Sequence, residues 1–415
     1  MPRPARITVV TSGHLSTCPR MLKAADAFAA AGYDVTAVAT RHEEWATSAD
    51  AEARSRRTWP VRIVDYRRHG GAATYWGTGV EHRAARAIAA AVGPARAPKP
   101  IVARAFARVH SSMVRAIAAA PADLIYGGTT GALAAIAEAG RRTRTPYALD
   151  LEDYHSAETI GPEAGLVDAL AARIEEDVFR DAAFLTTSSE AIADAYREQY
   201  GVGPSVVHNT FPLPAQPPSF AREHPGVLRL YWFSQTIGEG RGLEEAIAAL
   251  GRSGVRAELA LRGRPNDGYL DALKRLAGAH APRLEVIHHP PAPPDAMFDL
   301  ARPHDVGLVL EHGVSRNREL CVTNKGFTYI LAGLAVAGFD TPGQHAIGVD
   351  LGRAAQLVPP GDVDALAAAF ARWGADPAAL DCAKRSAWQA ATRRWHWEHD
   401  EERGTLYRLV QEALS

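Results

Sequence analysis

The clearest chemistry in this chain lies in residues 311–338, EHGVSRNRELCVTNKGFTYILAGLAVAG. An apolar run, 306–310, ends in Glu311 and a polar loop, and Thr323 and Asn324 then stand where helix caps belong. Lys325 follows at once. Residues 327–331 are apolar at helical spacing, Gly333 stands where a glycine stop is expected, and 334–337 reads as a short buried strand. A lysine beside the free backbone N–H groups of a helix entrance attracts phosphate, each contribution being roughly 0.3–2 kcal/mol. Diphosphate is the natural guest.

A second loop offers the same chemistry. LRLYWFS runs into QTIGEGRGLEEAI, where Gly238, Gly240 and Gly242 separate a strand from a helix and let backbone approach a phosphate closely. A plain tight turn is the competing reading of those glycines, but Arg241 among them carries a guanidinium that can grip phosphate bidentately. With Lys325 it would place two cations from separate loops around one diphosphate. Glu311, at a strand end, either accepts hydrogen bonds from ribose hydroxyls or is an exposed loop carboxylate. Arg262 with Gly263 closes one strand and residues 288–291 close the next, so both can frame a base. His288 and His289 lack a third ligand at metal spacing.

In the first half, TSGHLSTCPR follows the first strand, with Gly13 at its turn and Arg20 entering the next helix, where it is either solvated or faces a cleft. The cluster LDLEDYHS ends another strand and gathers Asp150, Glu152, Asp153 and His155. A carboxylate or imidazole there suits a general base or a sugar-hydroxyl contact; local caps and turns explain the same residues without chemistry. GxSxG, P-loop and HExxH patterns are absent.

These loops need parallel strands to position them. Short apolar runs alternate with helical patterns along the chain, which predicts an α/β protein of two doubly wound Rossmann-like domains facing across a cleft. The expected strands are 7–11, 34–40, 61–66, 124–127, 147–151, 184–188 and 206–208, then 228–234, 257–262, 284–288, 306–310, 334–338 and 356–358. The domains expected are 1–211 for the acceptor and 227–385 for the donor. A proline-rich hinge, 212–226, joins them, and a helical tail, 386–415, can pack back across it.

Composition is ordinary: 415 residues, 47% hydrophobic, 22% charged, net charge −1. That excludes a global pull toward nucleic acid, and no apolar run approaches the roughly 20 residues of a membrane span. Cys18, Cys321 and Cys382 are odd in number and widely spaced, which argues for a reducing, cytoplasmic setting. Residues 67–115 hold Arg67, Arg68, Arg83, Arg86, Arg96, Lys99, Arg104, Arg108 and Arg115 against Glu81. The segment reads as a solvated helical face or as a peripheral contact with the inner membrane face.

These residues resemble a glycosyltransferase of the two-Rossmann-domain (GT-B) type, similar to the large retaining family 4, over nearly the full chain. STCPRMLKAADAFAAAGYDVTAVA, LDLEDYHS, EEDVFRDAAFLTTSSEAIADAYREQYGV with VVHNT, GEGRGLEEAI and CVTNKGFTYILAGLAVAG carry the resemblance. It implies transfer of a sugar from a nucleoside-diphosphate sugar to a small-molecule, glycan or lipid-linked acceptor, with retention and with no metal or other cofactor. Arg241, Lys325, Asp153 and His155 become the catalytic set. Gly13, Ser234, Gly240, Gly263, His289, Glu311, Thr323 and Asn324 join Arg241 and Lys325 around the donor, and Arg20 and Glu152 meet the acceptor. The chain departs from the family at Thr328, where glutamate is common, and at Ser234, where glycine is. A silent scaffold of the same fold and a nucleotide-sugar epimerase are the alternatives. A dehydrogenase is disfavoured, because GEGRG lacks GxGxxG spacing and no acid ends strand 257–262.

Overall fold

The computed structural model describes residues 3–220, 224–293 and 296–415. Two compact units make up the chain: Met1–Val207 with Arg403–Ser415, and His208–Glu402. The first holds β1 (Arg6–Thr11), β2 (Asp34–Arg41), β3 (Val61–Asp65), β4 (Leu124–Gly128), β5 (Tyr147–Leu151), β6 (Leu185–Thr187) and β7 (Ser205–Val206). The second holds β8 (Leu228–Ile237), β9 (Ala257–Pro265), β10 (Leu284–His289), β11 (Val306–Val309), β12 (Ala335–Phe339) and β13 (Ala355–Val358). Strand order is β3-β2-β1-β4-β5-β6-β7 in one sheet and β10-β9-β8-β11-β12-β13 in the other. Every pairing is parallel. The order reverses beside β1 and β8, so each unit has a switch point where loops diverge and ligands bind.

Parallel strands covered on both faces must be apolar on both, and β8 shows how that is met. Leu228, Leu230 and Trp232 enter a core with Phe339, Phe370 and Trp373, while Tyr231 enters the opposite core with Phe327, Tyr329 and Trp395. Burying a ring of this size is worth about 2–3 kcal/mol. Gly307 on β11 makes room for one of them, since a Cβ there would stand 2.1 Å from the Tyr329 ring.

Two expectations need correcting. The units part between Val207 and His208, and the proline-rich stretch belongs to the second one. Phe211 packs on Phe298, the Gln216 carbonyl accepts from Arg302 at 3.0 Å, and Pro218 lies against Gly333. Residues 221–223 of the expected hinge lie outside the described residues. The tail divides later than expected: the helix Pro377–Arg393 stays with the second unit through Lys384 on Asp305 at 3.2 Å, and only Arg403–Ser415 joins the first, where Tyr407 donates to the Ala27 carbonyl at 2.9 Å. Of the nine basic residues of 67–115, Arg67 pairs with Asp65 and Glu44, Arg86 with Glu163, Lys99 with Asp177 and Arg104 with Glu81. Among the described residues no helix is long and apolar enough to cross a membrane.

Candidate active site

The loops after β8 and β11 meet because these strands are neighbours. Gly240 and Gly242 take φ of 70° and 71°, a region glycine enters without strain. At Gly242 there is a second constraint, because a Cβ would lie 2.4 Å from the Leu310 carbonyl oxygen. The turn therefore presses the start of the helix Leu243–Ser253 against the end of β11. His312 ties the same two loops through Glu245 at 2.8 Å.

Glu311 is buried and forms an ion pair with Lys325, whose ammonium also lies 5.5 Å from the Trp232 ring centroid. Glu311 thus holds the lysine directly, and its Oε2 is buried without a hydrogen-bond partner. Lys325 belongs to the first turn of the helix Asn324–Leu331, whose Thr323 N-cap makes no side-chain capping bond. No acidic residue stands in that first turn, and Glu311 reaches it from the end of β11.

Arg241 lines a cleft of about 500 Å³ with Thr236, Gly238, Glu239, Asn266, Asp267 and Tyr269. Burial, then the charge of Arg318, lowers its pKa, and Glu311 opposes that shift. Among the described residues no carboxylate lies within ion-pair distance of either guanidinium. Arg318 was not foreseen in the sequence. It sits in the short helix Arg316–Leu320, whose Ser315 cap accepting from the Arg318 N–H was the available signal. Lys325 and Arg241 thus share Glu311 as counter-charge, and Arg318 stands near enough to Arg241 to oppose its charge.

The remaining donor-side candidates have other settings. Ser234 does not end its strand: β8 continues through an irregularity between Phe233 and Thr236, and a Cβ on Gly263 would meet the Ser234 carbonyl at 2.4 Å. Arg262 is committed to Tyr231 and to the Pro290 carbonyl, at 2.9 and 2.8 Å. His289 ends β10, and burial, then Arg262, lowers its pKa. Asn324 is exposed, and Thr328 is buried with its hydroxyl on the Asn324 carbonyl at 3.4 Å. Gly13 lies in the first unit, its carbonyl accepting from Thr40 N–H at 3.0 Å.

In the first unit the switch point is strained. Thr129, after β4, holds φ of 72°, and its hydroxyl takes the Ser12 N–H at 3.0 Å. A β-branched residue in that region costs about 1–3 kcal/mol and marks functional loops more often than others. Beside it, Thr130 and Glu158 contact His155 Nδ1 at 2.9 and 3.2 Å, while Nε2 is buried without a partner. Burial disfavours the His155 imidazolium, but Glu158, Asp153 and Glu175 outweigh it and raise the pKa. Tyr196 fixes the loop, accepting the His155 N–H at 3.1 Å and contacting the Asp153 carbonyl at 3.1 Å and buried Glu175 at 2.9 Å. Glu152 is pushed up to about 7 by burial and then by Asp153, against Arg20.

Arg20 has a different role from the one expected. It is buried, bidentate to Asp150 at 2.7 and 2.8 Å, and donates to the carbonyls of Val207 and Thr187 at 2.6 and 3.2 Å. Its guanidinium joins β5, β6 and the end of β7, so it is removed from the acceptor contacts. Among the described residues no group of three or more His, Cys, Asp or Glu could hold a metal ion.

Two parallel sheets of this order, each with a loop cluster at its switch point, are the architecture of GT-B glycosyltransferases. Residues 19–210 match the family described as glycosyl transferase 4-like domain. A search of curated proteins found no match. Among solved structures the chain resembles sucrose-phosphate synthase from Thermosynechococcus elongatus at 15% identity and TM-score 0.68, covering 99% of this chain and 100% of that one. It is similar to Anabaena HepE in complex with UDP and glucose at 16% identity and TM-score 0.64, covering 99% of each. A glycosyltransferase from Rickettsia africae aligns at 9% identity and TM-score 0.68, over 100% and 99%.

Proposed function

We propose that the protein transfers a sugar from a nucleoside-diphosphate sugar to an acceptor hydroxyl, with retention and without a metal ion. The observation that carries this reading is the meeting of cations at one loop cluster: Lys325, held by Glu311 in the first turn of its helix, and Arg241, which feels the charges of Arg318 and Glu311 and has no ion-pair partner among the described residues. A diphosphate would give Arg241 the anionic partner it lacks among the described residues. When the anomeric C–O bond breaks, Arg241 and Lys325 stabilise the departing phosphate, a contribution of about 3 kcal/mol for one well-placed partner. A phosphate oxygen takes the acceptor proton as the acceptor oxygen bonds the same face of the sugar, so the protein needs no nucleophile.

In this reading Thr323, Asn324 and Gly240 offer backbone N–H groups to the diphosphate, while Ser234, Gly263 and His289 lie toward the nucleoside. Asp153 and His155 of the first unit are the groups assigned to the transferred sugar. The bound UDP in Anabaena HepE makes uridine the first base to try. The three free cysteines suit a reducing cytoplasm.

Incubation with radiolabelled UDP-, GDP- and ADP-sugars tests the reading. Release of free sugar or transfer, unchanged by EDTA and with the anomeric configuration kept, is the expected result. Tight nucleotide binding without turnover of any donor would instead identify a silent scaffold.

A further inference from the structure

The helix Ala72–Val92 packs on the first unit with one face and leaves the opposite face bare. Thr78, Ala85 and Ala89 are buried, whereas Trp76, Val80, Ala84, Ile88 and Val92, spaced at steps of four, are exposed. Residues four apart share a helix face, so these five form one stripe, about 24 Å long at the helical rise. Trp76, Val80, Ile88 and Val92 are 56, 60, 44 and 43% exposed, four of the nine large apolar side chains left open to solvent among the described residues. The bare apolar surface is therefore concentrated on this helix, and a patch of that kind marks an interaction surface.

Its charge says what kind of partner fits. Arg108 Nη2 and Arg83 Nη1 lie 3.2 and 3.3 Å from the point that a Cβ on Gly79 would occupy, so glycine lets two guanidinium tips meet over the helix. Arg108 lies on the Tyr75 ring at 4.3 Å and donates to the Tyr75 carbonyl at 2.7 Å, and Tyr75 meets Trp76 edge-on with centroids 5.3 Å apart. The exposed indole and the two guanidinium groups thus belong to one continuous surface. Glu81, the single acid of the helix, is committed to Arg104 and Ser111 at 2.7 Å each. Among the described residues Arg83, Arg108, Arg68 before the helix and Arg96 after it have no carboxylate within ion-pair distance. An apolar stripe with cations at its margin and no acid suits a headgroup layer, where apolar side chains sink and guanidinium groups grip phosphate. A second copy suits it less, because Arg83 stands near the middle of the stripe and a two-fold pairing of the faces would set it against itself.

We propose that this helix face docks on an anionic lipid surface, with Trp76 and Val80 entering the headgroup layer and a lipid phosphate held between Arg83 and Arg108. The proposal goes beyond the transferase reading and does not depend on it. Co-sedimentation of the full chain with vesicles of phosphatidylcholine alone, and of phosphatidylcholine with an equal part of phosphatidylglycerol, tests it. The anionic vesicles should bind at least about tenfold more tightly, and added salt should weaken that binding. Trp76→Ser should weaken it about tenfold and Arg83→Gln about fivefold, while Arg83→Lys stays near the wild type. Val349→Ser, which removes an equally exposed apolar side chain from the second unit, should change nothing. All four positions are exposed, so melting temperatures should match the wild type. Equal binding to both kinds of vesicle, no binding to either, or wild-type partition in folded Trp76→Ser and Arg83→Gln would overturn the proposal. So would a dimer that Trp76→Ser dissolves in a protein that ignores vesicles, which would assign the stripe to a second copy. Binding of free glycerol phosphate without vesicle partition would assign the two arginines to a soluble anion and overturn it as well. Vesicle binding that follows these variants in a protein that turns over no donor would sink the transferase reading and leave the docking face standing.

Discussion

Each unit places a cation beside a carboxylate at the loop end of a parallel sheet, and the two pairs are built to opposite ends. Arg20 and Asp150 are closed: both are buried, the guanidinium donates to four oxygens, and Asp150 also takes the Thr186 hydroxyl at 2.6 Å. Lys325 and Glu311 are open, with one Glu311 oxygen unpartnered and Arg241 and Arg318 unpaired nearby. A closed pair is architecture, because its bonding capacity is already filled. An open pair is a site, because charge remains for a ligand to satisfy.

The contrast breaks if Arg20 turns out to be dispensable for folding. Removing one partner of a buried pair leaves an uncompensated charge and costs about 3–5 kcal/mol. Arg20→Met should therefore lower the urea midpoint by that equivalent, with activity following the folded fraction. A fully folded but inactive variant would move Arg20 into the site. Gly242→Ala sharpens the other side. Its positive φ and the approach to the Leu310 carbonyl should cost about 1–3 kcal/mol and raise the donor KM, as checked by thermal melting and initial rates.

The smallest effect concerns Glu152, whose carboxyl is raised to about 7. The folded protein then holds this proton more tightly than the unfolded chain, so stability falls as pH rises between about 4 and 7. Melting temperatures at pH 5 and pH 8 should show Glu152→Gln gaining on the wild type as pH rises, by a few degrees. A constant difference between the two would remove Glu152 from the lip of the first unit.

Local signals carried most of the fold. Each of the thirteen strands among the described residues lies within a few residues of an apolar run, since strands buried on both faces read as continuous apolar segments. The ends were less legible: polar Gln235 and Thr236 disguised the continuation of β8, and a proline-rich stretch whose Phe211 packs on Phe298 and whose Pro218 lies against Gly333 resembles a linker. In the site, Arg241 and Glu311 were visible because each follows a strand end within a few residues, and Lys325 because it stands directly after a helix cap. The partners of Arg20 lie 130, 167 and 187 positions away, so its commitment could not be read. Arg318 was hidden by its short helix.

Calorimetric titration of UDP into the wild type, Arg241→Ala and Lys325→Ala tests the central claim most directly. The wild type should bind, and each variant should lose about 100-fold in affinity while its melting temperature stays within a few degrees, as expected for charge partners of a bound diphosphate. Wild-type affinity in both variants would show that the diphosphate binds elsewhere and would contradict the account.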